Sequence, residues 1–160
     1  MNQRPQPPLL IGIGNRLRSD DGIGYRIAET LRSEDSPMQV LAVQQLTPEL
    51  AEPIAAAAAV LFVDASVLDP GADQLRLKPL VPHGGITDAA AMRAPLSHQF
   101  SPIGLLQLSQ RLYGRWPPAW QLLIPVQELE LELGERLSPA ATAAMAEALT
   151  LVRRWRPGHA

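Results

Sequence analysis

The residues of this chain able to do chemistry gather in three short stretches. These are "GIGNRLRSDDGIG", with the adjacent Asp20 and Asp21; "LFVDAS", where Asp64 follows an apolar run; and "SHQFSP", which carries His98. Carboxylates and an imidazole with open positions suit a borderline divalent ion such as Ni²⁺, Zn²⁺, Mn²⁺ or Fe²⁺, and donor chemistry alone does not choose among these. The chain has no cysteine, which excludes a thiolate metal site, a cysteine nucleophile and a disulfide framework together. Any metal here is held through oxygen and nitrogen. Each residue also has a plain structural reading. A carboxylate before a helix can cap it, an acid at a strand end can be hydrogen-bonded, and a loop histidine such as His98, His83 or His159 can be polar surface. One cap needs one residue, so capping accounts for one member of the Asp20 and Asp21 pair. The other is surplus negative charge that a cation would offset.

Two other chemistries fit poorly. Gly12 and Gly14 follow an apolar run as in a dinucleotide-binding loop, but the third glycine position is Leu17 and no Lys-Ser or Lys-Thr pair follows. Asp20 and Asp21 also stand where a phosphate needs positive potential. Ser97 and His98 are neighbours without the strand-to-helix elbow that exposes a serine nucleophile.

Local patterns indicate the elements that must position these residues. Leu9 to Ile13 reads as a buried strand, and Ile23, Ile27 and Leu31 recur at helical spacing after it. Val40 to Val43 predicts a second strand, and Thr47 with Pro48 a helix start whose Ala-rich body continues through Ala58. Val60 to Val63 reads as a central strand that ends at Asp64. Gln74 to Lys78 alternates like an edge strand, as does Glu128 to Leu133. Ser101 and Pro102 open a helix with Leu105, Leu108 and Leu112 as its stripe and Gly114 at its end. Gln121 to Val126 is a further strand, and Ser138 with Pro139 starts a last helix with Met145, Leu149 and Val152 on one face.

Alternating strands and helices predict an α/β fold: a mostly parallel twisted sheet sandwiched by helices in three layers. Ligands in such folds lie beyond the carboxyl ends of the strands, the edge to which Asp20, Asp21, Asp64 and His98 are delivered. With 160 residues, 46% hydrophobic and 19% charged, the chain can fill one core, so residues 1–160 are expected to form a single domain with residues 1–8 and 157–160 as flexible tails. Its net charge of -2 gives no electrostatic footprint for nucleic acid, and Arg153, Arg154 and Arg156 read as a helix tail. The longest apolar run, Ile54 to Val63, is too short to span a membrane, and the N-terminus lacks the apolar stretch of a secretory signal. A cytoplasmic protein is expected. A monomer is expected too, since nothing in the sequence calls for an obligate oligomer.

In this order and spacing the three stretches resemble the nickel–iron hydrogenase maturation endopeptidases. The first stretch is the most specific, and together they span nearly the whole chain. The resemblance implies that Asp21, Asp64 and His98 are the metal-contacting and catalytic residues. It implies an aspartyl-type endopeptidase that removes a C-terminal extension from the precursor of the hydrogenase large subunit once nickel is in place; the alternatives for the same residues are a non-enzymatic nickel-dependent accessory protein and a metal-dependent hydrolase of another substrate. Its metal would be the nickel carried by that precursor, with no organic cofactor. Some members have Glu where this chain has Asp21, and some a glycine where it has Ser101. The "SP" version is similar to the subgroup serving soluble, bidirectional-type hydrogenases. Gly12, Gly14 and Gly22 would let the backbone bend and the substrate tail approach.

Overall fold

The computed structural model describes residues 6–67, 74–82, 100–126 and 136–157. Within them run β1 (Leu9–Ile13), a 3-10 turn (Ser19–Gly22), α1 (Ile23–Arg32), β2 (Gln39–Val43), a second 3-10 turn (Pro48–Leu50) that leads into α2 (Ala51–Ala56), and β3 (Val60–Val67). They continue with β4 (Arg76–Pro79), α3 (Pro102–Tyr113), β5 (Ala119–Val126) and α4 (Pro139–Arg154). The strands form one sheet in the order β2-β1-β3-β5-β4. All neighbours are parallel except β4, which runs antiparallel to β5 at the edge.

Every residue of β1 is buried, as continuous apolar strands covered on both faces require. Leu10, Leu61, Val63, Leu122 and Ile124 pack against α1 and α4, whereas Leu9, Ile11, Val60 and Phe62 pack against α2 and α3. This is the expected three-layer α/β arrangement. The chain leaves β1 through α1 on one face to reach β2, then returns through α2 on the other face to β3, on the far side of β1. The strand order therefore reverses at β1 and β3, and their carboxyl ends bound the crevice where open α/β sheets hold ligands.

Several expected boundaries shift. β3 does not stop at Asp64: it continues to Val67 because β5 pairs with it along its whole length, whereas β1 pairs only as far as Val63. The helix expected through Ala58 ends at Ala56, and the Thr47 side chain that precedes it makes no capping hydrogen bond. In α3, Leu105 and Leu106 are fully buried, while Leu112 is 61% exposed, so the buried stripe runs beside the expected one. Glu128 to Leu133, His83, His98, His159 and most of both expected tails lie outside the described residues. No helix among the described residues is long and apolar enough to cross a membrane.

Ser101 and Gly114 bound α3 as expected. The Ser101 hydroxyl accepts the Gly104 N–H at 2.9 Å, and Gly114 takes a left-handed φ of 72°. Ser101→Ala is expected to cost ~1 kcal/mol by leaving that N–H without its cap. Urea denaturation would read this as a lower midpoint at unchanged slope.

Candidate active site

The loop after β1 is built by its own backbone. Gly14 donates to the Val43 carbonyl at 3.0 Å, fixing where the chain leaves the sheet. The Asn15 side-chain oxygen then accepts the Leu17 N–H at 3.0 Å, a local turn that Asn supplies readily, and the Asn15 carbonyl accepts the Arg18 N–H at 2.9 Å. The loop folds back so closely that a Cβ on Gly14 would lie 2.1 Å from the Asp21 carbonyl oxygen. Asp21 therefore sits on a turn pressed against β1. One of its carboxylate oxygens, Oδ2, accepts the Asn15 N–H at 3.2 Å.

Asp64 reaches the same crevice from β3. Successive strand residues alternate faces, so Asp64 follows Phe62 to the side covered by α2 and α3. It lies one residue beyond the last β1 partner, where the sheet opens. Burial pushes its carboxyl up to about 7, opposed by a hydrogen bond from the Ala65 backbone and reinforced by the negative charge of Asp21. The half-buried acid thus retains a proton near neutral pH. Asp21 and Asp64, 43 positions apart in sequence (64 − 21), are electrostatic neighbours in the fold.

Neither member of the acidic pair caps a helix locally. The Ser19–Gly22 turn and α1 both begin without a side-chain cap. Asp20 instead points to the distant Ser138, whose N–H and hydroxyl it accepts. The two neighbours thus have different partners, Asp20 on Ser138 at the start of α4 and Asp21 on the Asn15 backbone near Asp64. His98 lies outside the described residues, and among those described no three His, Cys, Asp or Glu side chains gather as a metal site. A pair of carboxylates, one holding a proton near neutrality, can accept a divalent cation by giving that proton up.

Two further residues shape this site. Asn15 sets the loop as described, and the visible signal was an Asn directly after Gly14. Gly24 lies in the first turn of α1, where a Cβ would stand 2.3 Å from the Ile13 carbonyl oxygen and 2.4 Å from that of Val63. Its absence of a side chain lets α1 rest on the carboxyl ends of both β1 and β3.

No protein-family model and no curated protein matches the chain. Solved structures do. It is similar to the hydrogenase 2 maturation peptidase from Thaumarchaeota archaeon SCGC_AB-539-E09, with 26% identity and a TM-score of 0.61 over 92% of this chain and 95% of that one. It is similar to the hydrogenase maturating endopeptidase HybD from Escherichia coli, with 23% identity, a TM-score of 0.64, and 92% and 90% covered. The [NiFe] hydrogenase maturation protease HycI from Thermococcus kodakarensis aligns at 20% identity with a TM-score of 0.65, over 94% and 92% of the two chains. The chain therefore shares, over nearly its whole length, the fold of hydrogenase maturation peptidases.

Proposed function

We propose that this protein is an endopeptidase that removes the C-terminal extension of the nickel-loaded large subunit of a nickel–iron hydrogenase. The observation that carries the reading is the meeting of Asp21 and Asp64 at the point where strand order reverses, in a fold shared with maturation peptidases. Water adds across one peptide bond; the subunit keeps a new C-terminal carboxylate and the extension leaves as a peptide. Nickel belongs to the substrate, and Asp21, Asp64 and His98 contact it there. Without substrate, the proton on Asp64 relieves its repulsion with Asp21. A cation arriving with the precursor favours the ionised carboxyl and drives that proton off. The metal then acts as the signal that the precursor is ready. The protein works in the cytoplasm as a monomer, without an organic cofactor, and the Ser101-Pro102 segment supports a soluble, bidirectional-type hydrogenase as its target.

The test is the intact mass of each hydrogenase large subunit in the host with and without this protein, nickel being supplied in both. One subunit is expected to retain its extension when the protein is missing. The purified protein should then remove that extension from the nickel-loaded precursor and leave the nickel-free one intact. Normal maturation of every subunit would overturn the reading. Binding to the precursor with no change in its mass would point to a non-enzymatic accessory role instead.

A further inference from the structure

Asp20 makes a link that the cleavage reading leaves unused. Its Oδ1 accepts the Ser138 N–H at 2.8 Å and its Oδ2 the Ser138 hydroxyl at 2.7 Å, across 118 positions of sequence. The same hydroxyl accepts the Ala141 N–H at 3.1 Å, so its orientation is fixed from both sides. Hydrogen bonds to an ionised acceptor are stronger than neutral ones, and a negative charge at the start of the 16-residue α4 is favoured by the helix dipole.

The turn on the other side of this link needs support. It is four residues long, lacks a side-chain cap, and contains Ser19 at a φ of 48°, a left-handed conformation uncommon outside glycine. Short 3-10 turns have poorer hydrogen-bond geometry than α-helix, so a bond from outside the turn adds to what holds it. Asp21 follows Asp20 directly in this turn. Resting on the endopeptidase reading above, we propose that Asp20 is a positioning residue for the cleavage: through Ser138 it anchors the turn to α4 and keeps the Asp21 carboxylate beside Asp64. A mere cap would stabilise α4 and leave the reaction alone. Anchoring couples α4 to the placement of Asp21.

The full-length protein and its Asp20→Ala, Ser138→Ala, Ser138→Thr and Ala146→Gly variants separate the two roles. Asp20→Ala and Ser138→Ala are expected to lower kcat on the nickel-loaded precursor about 10- to 100-fold with KM little changed, the scale of misplacing a reacting group by about an ångström. Exchange of the Asp21 amide, which donates to the Arg18 carbonyl at 3.1 Å, should quicken about tenfold or more as the turn opens locally. Ser138→Thr retains both donors and is expected to restore both readouts. Ala146→Gly weakens α4 at an exposed site and should lower Tm without changing kcat. If the alanine variants lower Tm without changing kcat, as Ala146→Gly does, or if Asp21 exchange is unchanged, the positioning role is overturned. If the wild-type protein leaves the precursor uncut, the endopeptidase reading falls, and amide exchange alone then decides whether Asp20 anchors the turn.

Discussion

Asp64→Asn is expected to stop processing and at the same time to stabilise the protein, with pH separating the two effects. The native carboxyl titrates at about 7, against an ordinary value of 3.8 that the unfolded chain should show. Between these values the native state holds a proton that the unfolded state has released, so stability falls as pH rises through the window. Above about 7 the whole penalty is present; below about 3.8 both states are protonated and it vanishes. An amide cannot ionise and escapes the penalty. At about 1.4 kcal/mol per pKa unit the ceiling is ~4 kcal/mol, and solvent access to a half-buried group makes ~1–3 kcal/mol the expected gain. Urea denaturation of both proteins at pH 8 and pH 4 should show the variant's advantage at the higher pH and its loss at the lower. An equal advantage at both would detach it from the carboxyl charge. Cleavage of the nickel-loaded precursor should fall by ~100-fold or more, the usual scale for removing a charged group that acts on the reacting centre. Retained turnover would remove Asp64 from the machinery. Asp21→Ala and His98→Ala are likewise expected to abolish processing with unchanged far-UV circular dichroism. A site that holds a raised carboxyl for function gives up stability to do so.

Gly24→Ala sets two opposing effects against each other, and their sizes decide the outcome. Alanine is the better helix former by up to ~1 kcal/mol, and position 24 lies in the first turn of α1. Its Cβ, however, would come within 2.3 and 2.4 Å of two carbonyl oxygens, both backbone atoms of strands packed in the core. Neither oxygen can swing aside as a flexible side chain would. Overpacking of this kind costs ~1–3 kcal/mol and sometimes more, and two simultaneous backbone clashes place Gly24→Ala at the upper end. A net loss of ~2–3 kcal/mol lowers Tm by roughly 4–12 °C in a domain of this size. Because relief requires α1 to lift from β1 and β3, the Asp21 turn moves with it, and cleavage should fall further than Tm alone explains. A variant as stable as the parent would mean that α1 does not rest on the strand ends.

The two carboxylates are brought together by topology. Consecutive crossovers on opposite faces separate the loops at the carboxyl ends of β1 and β3, and the opening between them receives one acid from each. β5 extends β3 beyond the reach of β1. Asp64 is thereby held on a strand paired with β5 on one side and, among the described residues, without a strand partner on the other.

The order of elements and the residues to suspect were legible from the residues alone, because these depend on local rules. Buried strands read as apolar runs, so β1 was legible to the residue and β2 and β5 nearly so; Ser-Pro pairs marked α3 and α4 because cap and first-turn chemistry acts within three or four residues. Asp20, Asp21 and Asp64 stood out together as charges delivered to the carboxyl edge of the sheet, and only the family resemblance chose Asp21 over Asp20. What depends on residues far apart in the chain was decided only by the tertiary structure. The buried stripe of α3 fell on Leu105 and Leu106 and left Leu112 exposed, since helical spacing allows neighbouring stripes and only the sheet beneath selects one. β3 ran past Asp64 because its length is set by pairing with β5 rather than by its own composition. Asp20 and Asp21 are identical in type and adjacent, and local rules could offer one of them a cap and leave the other as surplus charge without saying which was which. Folding gave one to Ser138 and the other to the crevice. The raised pKa of Asp64 has the same origin: it arises from burial and from a charge 43 positions away (64 − 21), neither of which exists until the sheet has closed.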